Sequence, residues 1–150
     1  MGNHSAQNNL NGPLPWELTK LEHLTDISLF SNALSGTIPS GFGYLHHIEL
    51  QNNTLQGTIP VDILVRSNSD NTSVEGLSRL LLSHNQLTGT IPAEIGLSTW
   101  SRIYLDNNQL SGSLPMEVWG AGGLKALYIR DNPKVGNPIL LGNQILYETK

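Results

Sequence analysis

Five histidines, twelve carboxylates and eight Lys or Arg side chains are the groups in this 150-residue chain that could move protons or pair charge. Their spacing does not assemble a catalytic centre. His46 and His47 are neighbours, so an extended strand turns them to opposite faces. No two of His4, His23, His46, His47 and His84 stand at the i, i+4 spacing of a helical zinc site, so no metal is expected. Asp26 and Glu49 are the carboxylates nearest each other in pattern. A glycosidase needs two carboxyls opposed across a cleft, and nothing here builds one. The nucleophile elbow, the phosphate loop and the metalloprotease pair are all missing. The glycines of 120–123 lack phosphate-loop spacing and read as a turn. A cysteine count of 0 removes thiol nucleophiles, thiolate metal sites and disulfides. No enzyme activity and no cofactor is expected.

What remains is recognition chemistry. Arg79, Leu81, Arg102, Tyr104, Asp106, Tyr128 and Arg130 combine cations, phenol rings and an acid. Tyr and Arg are the types that dominate interface hot spots. These residues form one surface only if segments about 24 residues apart lie side by side.

An internal repeat does that. The segments NNLNGPLP (8–15), NALSGTIP (32–39), NTLQGTIP (53–60), NQLTGTIP (85–92) and NQLSGSLP (108–115) are near copies, with a degenerate NPKVGNPI at 132–139. The glycines Gly12, Gly36, Gly57, Gly89, Gly112 and Gly136 mark intervals of 21 to 24 residues, with one of 32. Before each Asn stands an apolar pattern L-x-x-L-x-L-x-x-N, read at 24–32, 45–53, 77–85, 100–108 and 124–132. Its period-two part suits a short strand. Ile27 and Leu29, Ile48 and Leu50, Leu80 and Leu82, Ile103 and Leu105, and Leu127 and Ile129 are expected inside. One such turn cannot bury its own apolar face, so turns must stack. Asn32, Asn53, Asn85, Asn108 and Asn132 are then expected to form a ladder bonded to backbone groups that the turns leave unpaired. The glycine four residues on permits a backbone that other residues resist.

The combination of L-x-x-L-x-L-x-x-N with N-x-L-x-G-x-I-P resembles the plant-type leucine-rich repeat of receptor-like kinases, receptor-like proteins and cell-wall enzyme inhibitors; similar repeats occur in algal proteins. The resemblance covers residues 8–139. It implies an α/β right-handed solenoid with a parallel sheet on the concave face and short 3-10 or irregular turns on the convex face. It implies a cell-surface or extracellular setting, in a membrane-associated glycoprotein. The family's usual Cys-paired caps have no counterpart here.

Organisation follows from the spacing. Residues 1–150 read as a single domain of about five to six repeats. The second repeat is short after its strand turn, on the convex side. The polar stretch 66–76 reads as a surface insertion, and 133–150 as a cap-like C-terminal segment. Residues 1–15 show neither a basic start nor an apolar core, so no signal peptide is expected in this chain. No stretch approaches the ~18 apolar residues of a membrane span. With neither a Cys-paired cap nor a full first strand, the expectation is a piece of a longer array or a short member. Sequons begin at Asn3, Asn52 and Asn71, of which Asn52 and Asn71 are the possible glycosylation sites.

The net charge of −4 argues against a nucleic-acid partner, which needs a basic stripe. The expected function is a non-catalytic recognition module whose concave face takes a protein or peptide, within a receptor-like or secreted protein. The alternative is a structural scaffold or cell-wall-associated repeat assembling through its ends.

Overall fold

The computed structural model describes residues 8–65, 78–120 and 123–136. The insertion at 66–76, the first sequons' Asn3 and Asn71, and the segment after 136 lie outside the described residues.

Eleven short strands follow the chain among the described residues: β1 (Asn11–Pro13), β2 (Asp26–Ser28), β3 (Ala33–Ser35), β4 (His47–Glu49), β5 (Gln56–Gly57), β6 (Arg79–Leu81), β7 (Gln86–Leu87), β8 (Arg102–Tyr104), β9 (Ser111–Ser113), β10 (Ala126–Tyr128) and β11 (Lys134–Gly136). The period-two segments make the principal sheet. It is parallel throughout and ordered β10-β8-β6-β4-β2, so each turn adds one strand beside the last. Its register sets Ile27, Ile48, Leu80, Ile103 and Leu127 opposite one another. These five, with Leu50, Leu82 and Leu105, are buried in one continuous core, and Leu29 and Ile129 pack at its margin. Truncating any fully buried Leu or Ile in such a core to Ala costs about 2–5 kcal/mol.

The opposite wall is made of short 3-10 helices at Trp16–Lys20, Val61–Ile63, Ala93–Leu97 and Met116–Gly120. A proline stands just before each of them, at Pro15, Pro60, Pro92 and Pro115, fixing an extended entry. The shortened second repeat has no 3-10 helix. Its buried Phe42 fills the turn instead. Gly43 lies so close to the next turn that an added Cβ would come 2.5 Å from the carbonyl oxygen of Asp62. Beyond the insertion, Trp100 takes the place of the repeat's leading Leu. It is completely buried and donates its indole N–H to the carbonyl of Ile63 at 2.6 Å.

A second row of parallel pairs was not legible in the sequence. β1 pairs with β3, β5 with β7 and β9 with β11, and single bridges Thr37–Gln56 and Thr90–Ser111 link these pairs into a flank beside the principal sheet. Here the register slips by two residues per repeat, setting Gly57 opposite Leu87. In the last pair it shifts again: Ser111 faces Lys134, and Val135 packs on the core where Leu110 stands one turn earlier.

Glycine is required on this flank for two reasons. Gly57, Gly89 and Gly112 have φ near +80°. Each also lies under the threonine of the preceding turn, whose methyl would be 2.8, 2.8 and 2.9 Å from an added Cβ. The Gly-Thr step is therefore an inter-turn contact as well as a local bend.

Candidate recognition surface on the principal sheet

The outward face of the principal sheet is a grid set by its register. Asp26, His47, Arg79, Arg102 and Ala126 lie in one row, and Ser28, Glu49, Leu81, Tyr104 and Tyr128 in the next. Leu81, Tyr104 and Tyr128 are thus successive neighbours. The two rings meet with centroids 4.3 Å apart and planes tilted by 56°. Both rings are half-buried.

The charges fall into two groups. In the N-terminal half they are mutually satisfied. Asp26 Oδ1 lies 2.5 Å from His47 Nδ1, and Asp26 Oδ2 accepts from the Thr25 hydroxyl at 2.7 Å. Partial burial pushes the Asp26 carboxyl up, but the hydrogen bonds of Thr25 and His47 and the nearby imidazoles outweigh it and hold it below its ordinary range. Glu49 accepts from Ser28 at 2.8 Å. Asp26 and Glu49 sit in different rows, so they do not oppose each other across a cleft.

In the C-terminal half, Asp106 does not pair with Arg130, the partner their 24-residue separation suggests. Its Oδ1 accepts from the Ser83 hydroxyl at 2.5 Å, its Oδ2 from the Asn107 amide at 3.0 Å, and His84 stands 3.9 Å away. Arg130 turns to its own neighbour, Asp131, at 3.5 Å. The short Ser83 side chain reaches Asp106 from the adjacent strand end, which leaves the acid little reason to order a long arginine. Arg79 and Arg102 are half-buried and have no carboxylate partner among the described residues. The Nε of Arg79 is buried without a hydrogen-bond partner.

Below this face the five repeated asparagines hold the turns together. Asn85 is typical: its amide donates to the carbonyls of Leu82, Ser83 and, one turn back, Leu50, at 3.1, 3.3 and 3.0 Å. Its oxygen accepts the Leu55 N–H at 3.0 Å. Asn53, Asn108 and Asn132 repeat this pattern and are likewise buried. Asn32 donates to Leu29 and Phe30 at 3.0 and 3.2 Å, and its oxygen accepts the Leu10 and Asn8 N–H groups of the preceding turn at 3.0 and 3.2 Å. The residue just before each of these Asn, namely Ser31, Asn52, His84, Asn107 and Asp131, has φ of 54–57°. Asn52, the described sequon, is exposed there, and its amide donates to Ser31 at 3.4 Å.

Among the described residues no three His, Asp or Glu side chains come together as a metal site requires. No described helix is long and apolar enough to cross a membrane.

The Leucine Rich Repeat family model matches residues 23–45 and 76–97. No curated protein sequence matches the chain. Among solved structures, the chain is similar to a plant ice-binding protein, with 27% identity over 85% of this chain and 39% of that one, at a TM-score of 0.71. It is similar to the plant peptide hormone receptor RGFR1 in complex with RGF2, with 33% identity over 81% of this chain and 19% of that one, again at 0.71. The chain therefore spans well under half the length of either. Against the BIR3–SERK2 complex from Arabidopsis thaliana the identity is 30%, covering 89% of this chain and 72% of that one, at a TM-score of 0.66. With the repeat, the stacked parallel strands and this degree of likeness on the page, the chain belongs to the plant-type leucine-rich-repeat proteins.

Proposed function

We propose that the chain is a non-catalytic protein- or peptide-recognition domain of a receptor-like or secreted protein. The binding face is the principal sheet, centred on Arg79, Leu81, Arg102, Tyr104 and Tyr128, with Asp106 and Arg130 at its edge. The observation that carries this reading is the contact of Tyr104 with Tyr128 beside two guanidinium groups that no described carboxylate neutralises. A rigid sheet presents these groups with little ordering left to do on binding. Relatives of this fold have been solved with peptide partners, RGFR1 with RGF2 among them. In a secretory setting, the exposed Asn52 is the described acceptor for a glycan.

The test is display selection of random peptides on the full chain, with counter-selection on the Tyr104→Ala, Tyr128→Ala double variant. Peptides that bind the chain saturably and not the variant support the reading. Enrichment of nothing, or of peptides that bind both equally, overturns it.

A second reading rests on the flank. Residues 32–40, 53–61, 85–93 and 108–116 contain no charged side chain. Thr37, Thr58, Thr90 and Ser113 are exposed there, the threonine methyls seated on the next turn's glycine. Uncharged hydroxyls repeated once per turn suit an ordered water lattice, and a plant ice-binding protein is similar to this chain. Ice-growth inhibition by the chain that Thr58→Lys abolishes supports this reading. Ice growth unaffected by the chain overturns it.

A further inference from the structure

Just past the ends of β6 and β8, three side chains from two turns meet at one point. His84 Nε2 lies 3.9 Å from Asp106 Oδ2. The side-chain nitrogen of Asn107 is 3.5 Å from that imidazole nitrogen and 3.0 Å from that carboxylate oxygen. An amide N–H group bonded to both directs a lone pair of each at the same place, with Nε2 unprotonated. The fold sets this arrangement. His84 and Asn107 each precede a ladder asparagine and share a φ of 54°. The ladder amides of Asn85 and Asn108 hold the carbonyls of Ser83 and Asp106 from inside. The His84 N–H donates to the Asp106 carbonyl at 3.0 Å, which locks the two turns together. Ser83 donates to Asp106 Oδ1 and so leaves Oδ2 toward His84. Outer partners of this kind orient metal ligands. Arg130, the cation one turn on, is drawn to Asp131 at 3.5 Å instead. Solvent reaches the group, the His84 side chain being 56% exposed and that of Asp106 21%.

We propose that His84 Nε2, Asp106 Oδ2 and the side-chain oxygen of Asn107 bind a divalent transition ion of the zinc class. Metal–ligand bonds of about 2.0–2.2 Å set neighbouring donors about 3.0–3.4 Å apart, and the three separations here lie near that spacing. The ion replaces the amide hydrogens between the two lone pairs. A half-turn of the Asn107 amide then exchanges its nitrogen for its oxygen, a lone-pair donor. Water completes the coordination. Imidazole combined with oxygen donors suits zinc, whereas magnesium and calcium prefer oxygen alone. One donor is a neutral amide, and no third His, Asp or Glu joins among the described residues, so this is a modest site. The other imidazole–carboxylate pair differs. His47 Nδ1 and Asp26 Oδ1 are 2.5 Å apart, too close to admit an ion between them.

The experiment uses the full chain, labelled with ¹⁵N, and follows the ring nitrogens of its 5 histidines near neutral pH. Zinc chloride is added, and magnesium chloride separately. The variants borrow residues that other repeats hold at the same places, which keeps the fold: His84→Ser after Ser31, Asp106→Ser after Ser83, and Asn107→Asp after Asp131. Ser31 and Asp131 already adopt the left-handed backbone that His84 and Asn107 need. Zinc is expected to shift the His84 ring saturably and ahead of every other histidine, and magnesium to leave it unmoved. His84→Ser and Asp106→Ser should each weaken zinc binding by about tenfold or more, and Asn107→Asp should tighten it by about tenfold. Zinc that shifts His23 or His47 first, or an affinity that His84→Ser leaves unchanged, overturns the site. An affinity unmoved by Asp106→Ser or by Asn107→Asp means that His84 binds as any exposed histidine does, and it overturns the three-donor site. A ring shift produced equally by magnesium overturns the choice of ion.

Discussion

Tyr104 and Tyr128 lie ring to ring at 4.3 Å, brought together because β8 and β10 pair with these two residues opposite each other. The contact is a consequence of stacking, since 24 residues of chain separate them. An aromatic pair of this kind is worth about 0.5–1.5 kcal/mol beyond area burial. Tyr104→Ala is therefore expected to lower stability by about 1 kcal/mol, read from urea denaturation, and to leave the chain folded. A loss several times larger would mean the ring is part of the core rather than of its outer face.

Asn85 and Ser83 are both buried, but they carry different loads. Asn85 ties two turns through four backbone groups, whereas Ser83 gives a single hydroxyl to Asp106. Asn85→Ala leaves buried carbonyls and an N–H unpaired, each worth about 1–3 kcal/mol. It is expected to destabilise by about 3 kcal/mol, against about 1 kcal/mol for Ser83→Ala. Equal denaturation midpoints for the two variants would contradict this.

Gly89 and Gly12 separate strain from packing. Both have φ near +80°, but an added Cβ meets the Thr58 methyl at 2.8 Å in one and nothing within 4 Å in the other. Gly12→Ala is expected to cost about 1 kcal/mol, from backbone strain alone. Gly89→Ala should cost about 1–3 kcal/mol more. Replacing Thr58 by Ser in the Gly89→Ala background should recover part of that difference, and thermal melting of the four proteins checks it.

The parts of this architecture that were legible in the sequence are those that repeat with apolar side chains. Ile27, Ile48, Leu80, Ile103 and Leu127 stand where period two places them. The flank was not legible because its strands are two or three residues long, reading NGP, ALS, QG, QL, SGS and KVG, with at most one inward apolar residue each. Too few apolar positions remain to show a period, and the two-residue slip is set by backbone bonds that no side-chain pattern encodes. The partner of Asp106 is not legible from spacing for a related reason. Spacing identifies neighbouring strands, but a hydroxyl at Ser83 competes with a guanidinium at Arg130, and the shorter, less entropically costly partner wins.

Trp100 stands where the repeat calls for Leu and is completely buried, its N–H given to Ile63. Trp100→Leu restores the repeat's residue yet leaves a cavity and an unpaired carbonyl. A loss of about 3 kcal/mol is expected, and a stabilised variant in denaturant titration would show that the site can collapse around Leu.

Asp26 links stability to pH. Its folded carboxyl titrates below its ordinary range, so near that range the folded chain holds fewer protons there than the unfolded chain. Its contribution is complete at neutral pH and is lost as pH falls through the carboxylate range. Asp26→Asn should melt earlier than the parent at neutral pH, with the gap closing in acid. A gap that persists unchanged in acid would assign the effect to packing.

The most direct test of recognition on the principal sheet is a footprint. A peptide from the display selection is added to the full chain, and ring resonances of Tyr104 and Tyr128 are followed beside those of Tyr44. Saturable shifts confined to Tyr104 and Tyr128, together with slowed amide exchange in Arg102–Tyr104 and Ala126–Tyr128, are the expected result. Shifts and protection confined to the convex helices at Ala93–Leu97 and Met116–Gly120 would contradict it.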